Sequence, residues 1–168
     1  TLRNLPSVSI IPCPKKRGDV WADYASLLRR ADDYARYLQS PYGDVVKLRA
    51  RAFDKLIRTL SEGQRESEAG WAEIGTDLAD AEVSRLRGFF TLVEEAIPRD
   101  PDIEAFLRRE APDFVLVTPL IDLGSAQTDI VKSAQALEIP VAMVLFSWDN
   151  LSTKGTVHVM PDRVFVWN

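Results

Sequence analysis

Two short stretches of this sequence gather side chains able to act on a small polar ligand. The first is Thr118-Pro119-Leu120-Ile121-Asp122-Leu123-Gly124-Ser125, and the second is Ser147-Trp148-Asp149-Asn150-Leu151-Ser152-Thr153-Lys154-Gly155. Asp122 and Asp149 are candidate bases, because a carboxylate can take a proton from a hydroxyl held against it. Thr118, Ser147 and Asn150 are neutral hydrogen-bonding groups that could hold that hydroxyl. Lys154 could meet a phosphate or a carboxylate. Ser125, at the head of an expected helix, would sit beside free N–H groups and a positive dipole end. Trp148 offers a stacking face for a sugar or a base.

Each of these residues also has a plain structural explanation. Asp149-Asn150 forms a turn if its side chains satisfy the local backbone, and Asp122 can cap or turn the chain in the same way. Lys154 before Gly155 suits a solvated turn. Ser125 suits an N-cap. Trp148 could be a lid on the core. His158, the only histidine, is either an acid–base group or, beside Val157 and Val159, a structural one. Cys13 lies between two prolines with no partner in view.

The elements that would carry the two stretches come late in the chain. Phe114–Thr118 and Val141–Phe146 are continuous apolar runs of strand-forming residues. Strands apolar on both faces belong in a parallel sheet covered by helices. Between them, Gly124-Ser125 opens a helix running to about Leu137, so the unit reads as βαβ. Val164–Trp167 is a third such run. In an open parallel sheet ligands bind beyond the carboxyl ends of the strands, which is where both polar stretches fall.

The earlier part reads as helices. Val8–Ile11 is a short strand-like run closed by Pro12 and Pro14. From Asp19 onward, Val20, Trp21, Tyr24, Leu27, Leu28, Ala31, Tyr34 and Leu38 recur at steps of three and four, which predicts one buried helical face. Asp44 is the expected N-cap of a second helix, with Val45, Leu48, Ala52, Phe53, Leu56, Ile57 and Leu60 inward. A long helix is expected over about 70–96, with Trp71, Ile74, Leu78, Ala81, Leu86, Phe89, Val93 and Ala96 inward. Asp100-Pro101-Asp102 reads as N-cap, first-turn proline and acidic first turn, and Ala111-Pro112 ends that helix. The fold class is therefore α/β: a partial Rossmann-like parallel sheet of the three-layer α/β/α kind, with residues 1–110 mainly helical and 111–168 the βαβ core of one domain.

Composition narrows the function. The 168 residues carry a formal charge of −4, but residues 15–58 hold 11 basic and 6 acidic side chains while 59–168 hold 9 and 19. The basic stretch interleaves its charges with acids on helical faces, the pattern of a solvated surface, so no nucleic-acid partner is expected. One cysteine excludes an internal disulfide and any multi-cysteine metal site, and one histidine excludes a multi-histidine one. No apolar run approaches the roughly 18–20 residues of a membrane span. The phosphate-loop, dinucleotide, zincin and nucleophile-elbow motifs are absent. Thr1 opens the sequence and Val164–Trp167 closes it without a cap, so a piece of a longer, cytoplasmic protein is expected.

The run Asp113–Asp122, Ile139-Pro140-Val141, the stretch Ser147–Gly155 and Pro161–Asn168 together resemble the N-terminal half of bacterial glycosyltransferase-like proteins of the GT-B architecture. Leu28-Arg29-Arg30, Asp33–Leu38 and Lys47–Arg51 share in the likeness, which covers most of the chain. Its most specific part is Trp148–Gly155. The resemblance implies two facing Rossmann-like domains, the second gripping the nucleotide of a sugar donor and the first, represented here, contacting the acceptor. It implies no cofactor and no bound metal. On that basis Asp149 or Asp122 would orient or deprotonate an acceptor hydroxyl, Thr118, Ser147 and Asn150 would position it, and Lys154 would offset diphosphate charge. The partners would be a nucleotide-sugar and a small-molecule or cell-envelope glycan acceptor, with the basic helices a possible membrane-surface patch. Two alternatives keep the architecture: a nucleotide-sugar epimerase or polyol-phosphate glycerophosphotransferase, and a non-catalytic binding domain.

Overall fold

A computed structural model describes residues 7–14, 16–60, 78–118, 120–121, 125–147 and 149–166. Its regular elements in chain order are α1 (Ala22–Arg36), a 3₁₀ turn (Ser40–Tyr42), α2 (Val46–Ile57), α3 (Asp80–Ala96), α4 (Pro101–Glu110), β1 (Val115–Val117), α5 (Gln127–Ala136), β2 (Val141–Val144), α6 (Asn150–Thr153) and β3 (Arg163–Phe165). The three strands form one parallel sheet in the order β1-β2-β3, with Val115 beside Val141 and Met143 beside Val164. The fold is α/β with the parallel sheet of a partial Rossmann-like domain.

Local chemistry accounts for several boundaries. Asp100 caps α4 by accepting from the backbone N–H of Asp102 at 2.9 Å and of Ile103 at 3.4 Å, and Pro101 fills the first turn without wasting a donor. Ala111 then turns left-handed at φ 43°, which ends the helix before Pro112. The N–H of Ala79, ahead of α3, donates to Glu82 Oε2 at 2.9 Å. Asp44 is not the cap of α2; that position belongs to Val45, which has no capping side chain.

The core sits between one face of the sheet and the pair α4–α5. Ile103 and Leu107 of α4, Val131 and Ala134 of α5, and Val117, Val141 and Met143 of the sheet are all buried together with Leu120, Ile121 and Leu145. Strand alternation turns Leu116 and Phe165 to the other face, where they are 55% and 51% exposed. Ala142, on that same face, is fully buried.

Three expectations from the periodicity fail. Val8–Ile11 forms no strand, and Ile10 and Ile11 are exposed. The apolar stripe of α1 is not its buried face: Val20 is 80% exposed and Tyr24 is exposed too, while Ala25, Arg29, Asp32, Asp33, Ala35 and Arg36 are buried. The stripe of α3 is likewise displaced, with Val83 and Glu94 inward and Phe89 exposed. The cause is shared. These helices meet through ionic contacts, so the charged faces turn inward and part of the apolar surface turns out. The start of the long helix, including Trp71 and Ile74, lies outside the described residues. For α2 the periodicity holds, since Ala52, Leu56, Ile57 and Leu60 are buried. No helix among the described residues is long and apolar enough to cross a membrane.

Candidate functional site

Because β1 and β2 are parallel neighbours, the residues that follow them emerge on one edge of the sheet. Thr118 comes directly after β1 and is exposed; its carbonyl accepts from Gln127 Nε2 at 3.1 Å. Ser125 is buried, and its Oγ accepts from the N–H of Gln127 at 3.3 Å. It closes the turn just ahead of α5 but is not the N-cap expected from the sequence; that position belongs to Ala126, which has no capping side chain. Ser147 and Asp149 follow β2. Ser147 Oγ donates to Asp149 Oδ1, and Thr153 Oγ1 donates to Asp149 Oδ2 at 3.2 Å. Asp122 and Trp148 lie outside the described residues.

These contacts set the charge state of Asp149. The hydrogen bond from Ser147 is the main cause holding its carboxyl below the usual carboxylate range, with Thr153 and the nearby Lys154 charge acting the same way against a desolvation cost. Asp149 is thus a half-buried carboxylate that stays ionised and is already oriented by two hydroxyls. Such a group orients a donor better than it accepts a proton, because an efficient base has a pKa near the working pH. Lys154 is half-buried beside it, and its carbonyl accepts from Tyr37 Oη at 3.3 Å. Asn150 is only 1% exposed, with Oδ1 unpartnered among the described residues. It is the first residue of α6 and is buried rather than lining the surface of the loop.

What the apolar pattern concealed is how this loop is held. Arg36 of α1 donates to the carbonyls of Leu151, Ser152 and Gly155, at 3.1, 2.8 and 3.3 Å. Asp33 accepts from the backbone N–H of Thr156 at 2.6 Å. His158 then lies between two adjacent carboxylates, Nδ1 at 3.4 Å from Asp32 and Nε2 at 3.4 Å from Asp33, with its side chain 4% exposed. Burial alone would depress the imidazole, but the two aspartates outweigh it and raise its pKa to about 9. Asp32 is stabilised in turn by Arg87 of α3 at 2.8 Å. His158 is therefore a structural cation, the second of the two roles its sequence context allowed.

A second ionic cluster ties α1 to α3 and α5. Arg29, 3% exposed, donates to Glu94 from Nε and Nη2 at 2.9 Å each and to Asp129 from Nη1 and Nη2 at 2.8 Å each. Arg17 adds Nη1 to Asp129 at 3.1 Å and grips Asp19 through Nε and Nη2. Lys132 reaches Glu94 Oε1 at 3.2 Å. The spacing of Arg29, Asp32, Asp33 and Arg36 is as helical as that of the apolar stripe, and that was the available signal for both clusters.

No family model matches the chain, and searches of curated proteins and of solved structures return no significant match.

Proposed function

We propose that the carboxyl edge of this sheet is the acceptor-side half-site of a glycosyltransferase that uses a nucleotide-sugar donor. The observation that supports it is the emergence of Thr118, Ser147 and Asp149 from adjacent parallel strands on one edge, with Asp149 ionised and pre-oriented. In this reading Asp149 fixes the acceptor hydroxyl, Thr118 and Ser147 bracket it, and Lys154 meets charge developing on the donor diphosphate. Asp122, in the loop after β1, is the rival base. The work is done in the cytoplasm, on a small-molecule or cell-envelope glycan acceptor.

The test is a transfer and hydrolysis screen of the protein against a panel of nucleotide-sugars. Asp149→Asn and Lys154→Ala should each lower turnover by about tenfold or more. Wild-type turnover in both would overturn these assignments. Comparison of Asp122→Asn with Asp149→Asn decides which carboxylate acts on the acceptor hydroxyl, and whether Asp122 takes its proton while Asp149 orients it. A donor epimerised without transfer, or a released polyol phosphate, would move the reaction to the epimerase or glycerophosphotransferase class.

A second reading, a non-catalytic binding domain, is favoured by one observation. Several candidate groups are unavailable to a ligand at the surface: Ser125 is engaged in a turn, Asn150 is buried, and Asp149 is bound to Ser147 and Thr153. It predicts no nucleotide-sugar binding by calorimetry.

A further inference from the structure

A cavity of about 170 Å³ lies between the first turns of α1 and the start of α5, with Lys16, Arg17, Arg29 and Arg30 among its lining residues. The ionic cluster beneath it is balanced within itself. Arg17, Arg29 and Lys132 pair with Asp19, Asp129 and Glu94 through five ion pairs. Arg17 and Arg29 therefore form a saturated floor and have little left to offer a ligand.

The other two cations differ. Lys16 is exposed and has no hydrogen-bond or ion-pair partner among the described residues. Arg30 is half-buried, and the partners of its Nη1 are neutral: the Lys55 carbonyl at 2.9 Å and Thr59 Oγ1 at 2.7 Å. Its Nε is buried without a partner, so the donor left for a ligand is Nη2, which makes no hydrogen bond among the described residues. No carboxylate among the described residues pairs with either charge. A partly buried cation without a counter-ion is costly, and an anion entering from solvent removes that cost. Asp23, exposed on the same wall, leaves an excess of one positive charge rather than two.

We propose that this cavity is a binding site for a single phosphate group, held by Lys16 and Arg30 with the Ser26 hydroxyl as a neutral donor. Size supports the choice. The cavity is below the ~300 Å³ at which pockets for whole small molecules begin, so it takes a phosphate and not a complete nucleotide. Its place beside α5, the helix that follows β1, puts it on the carboxyl side of the sheet. The inference does not rest on glycosyl transfer, since binding is read without turnover.

Calorimetry with inorganic phosphate, against chloride at matched ionic strength, tests it. Saturable binding is expected. Lys16→Ala and Arg30→Gln should each weaken it by about threefold or more, and Asp23→Asn should tighten it. Lys47→Ala removes an exposed charge outside the cavity and should leave it unchanged. Arg30 also joins α1 to α2, so Lys16→Ala, on an exposed side chain, keeps the test valid if Arg30→Gln unfolds. A sugar 1-phosphate binding more tightly than phosphate identifies a phosphomonoester as the ligand, and equal or weaker binding identifies free phosphate. No saturation up to ~10 mM phosphate, or Lys16→Ala binding like wild type, overturns the site.

Discussion

Arg29 and Asp129 face each other through two hydrogen bonds of 2.8 Å, and both side chains are nearly buried, at 3% and 2% exposure. The pair joins α1 to α5, and Glu94 on the other side of the same guanidinium brings in α3. Removing one member strands the others as buried charges. Arg29→Met should therefore lower stability by about 3–5 kcal/mol, read from urea unfolding. Arg29→Lys should recover little of it, because an ammonium cannot make the forked contacts to two carboxylates at once.

His158 makes stability depend on pH in a defined window. Its folded pKa of about 9 lies above the ordinary histidine value of 6.5. Its contribution is thus fully present below about pH 6.5 and is lost as pH rises through 9. Asp32 acts in the opposite sense: its folded pKa is depressed, burial being outweighed by His158 and Arg87, so its contribution is lost as pH falls below the ordinary carboxylate range. Unfolding measured from pH 6 to pH 10 should show wild-type stability falling across the alkaline half. His158→Gln should be less stable at pH 6 and should lack that alkaline loss. A titration of the single imidazole by NMR with a midpoint near 6.5 would contradict the assignment.

The sheet and its crossover were legible because apolar runs of strand formers between helical segments have few other solutions. The same holds for the Asp100 cap and for α2, whose apolar stripe is the buried one. The orientation of α1 was not legible. Its apolar and charged residues recur at the same helical spacing, so periodicity alone offers two candidate faces. What decides between them is Glu94, Asp129 and the 149–158 loop, which lie 65, 100 and more than 110 residues away from their partners on α1. In the candidate site, Asp149 and Ser147 were found from side-chain type and loop position. That Asn150 turns inward and Ser125 closes a turn follows from packing that residue type does not encode.

The loop carrying Asp149 and Lys154 depends on α1 through Arg36. Its guanidinium donates to three backbone carbonyls of that loop, each of which would otherwise need water or another donor. Hydrogen bonds from a charged donor contribute about 1.5–3 kcal/mol each in favourable settings, and these three share one side chain. Arg36→Ala should cost about 2–3 kcal/mol in global stability. Hydrogen exchange should speed up at the amides of 150–156, while amides of α4 and β1 keep their protection relative to the global value. Uniform loss of protection would mean that Arg36 supports the whole fold and not this loop in particular.

Glu138 offers a change in the other direction. It follows α5 with φ of 58°, a left-handed conformation in which its Cβ crowds the backbone. The strained position lets the chain turn directly into β2: the N–H of Glu138 still donates to the Gln135 carbonyl at 3.0 Å, and the N–H of Ile139 to the Ala134 carbonyl at 2.9 Å. Both N–H groups are paired, so the side chain is the source of the cost, about 1–2 kcal/mol for a residue other than glycine. Glycine removes that cost but adds freedom to the unfolded chain, which returns roughly 0.5–1 kcal/mol. Glu138→Gly should therefore raise stability by up to ~1 kcal/mol, seen as a higher urea midpoint with unchanged slope. Glu138→Val, with a branched Cβ at the same φ, should lower the midpoint. If both variants moved it in the same direction, the left-handed turn would not be the controlling feature.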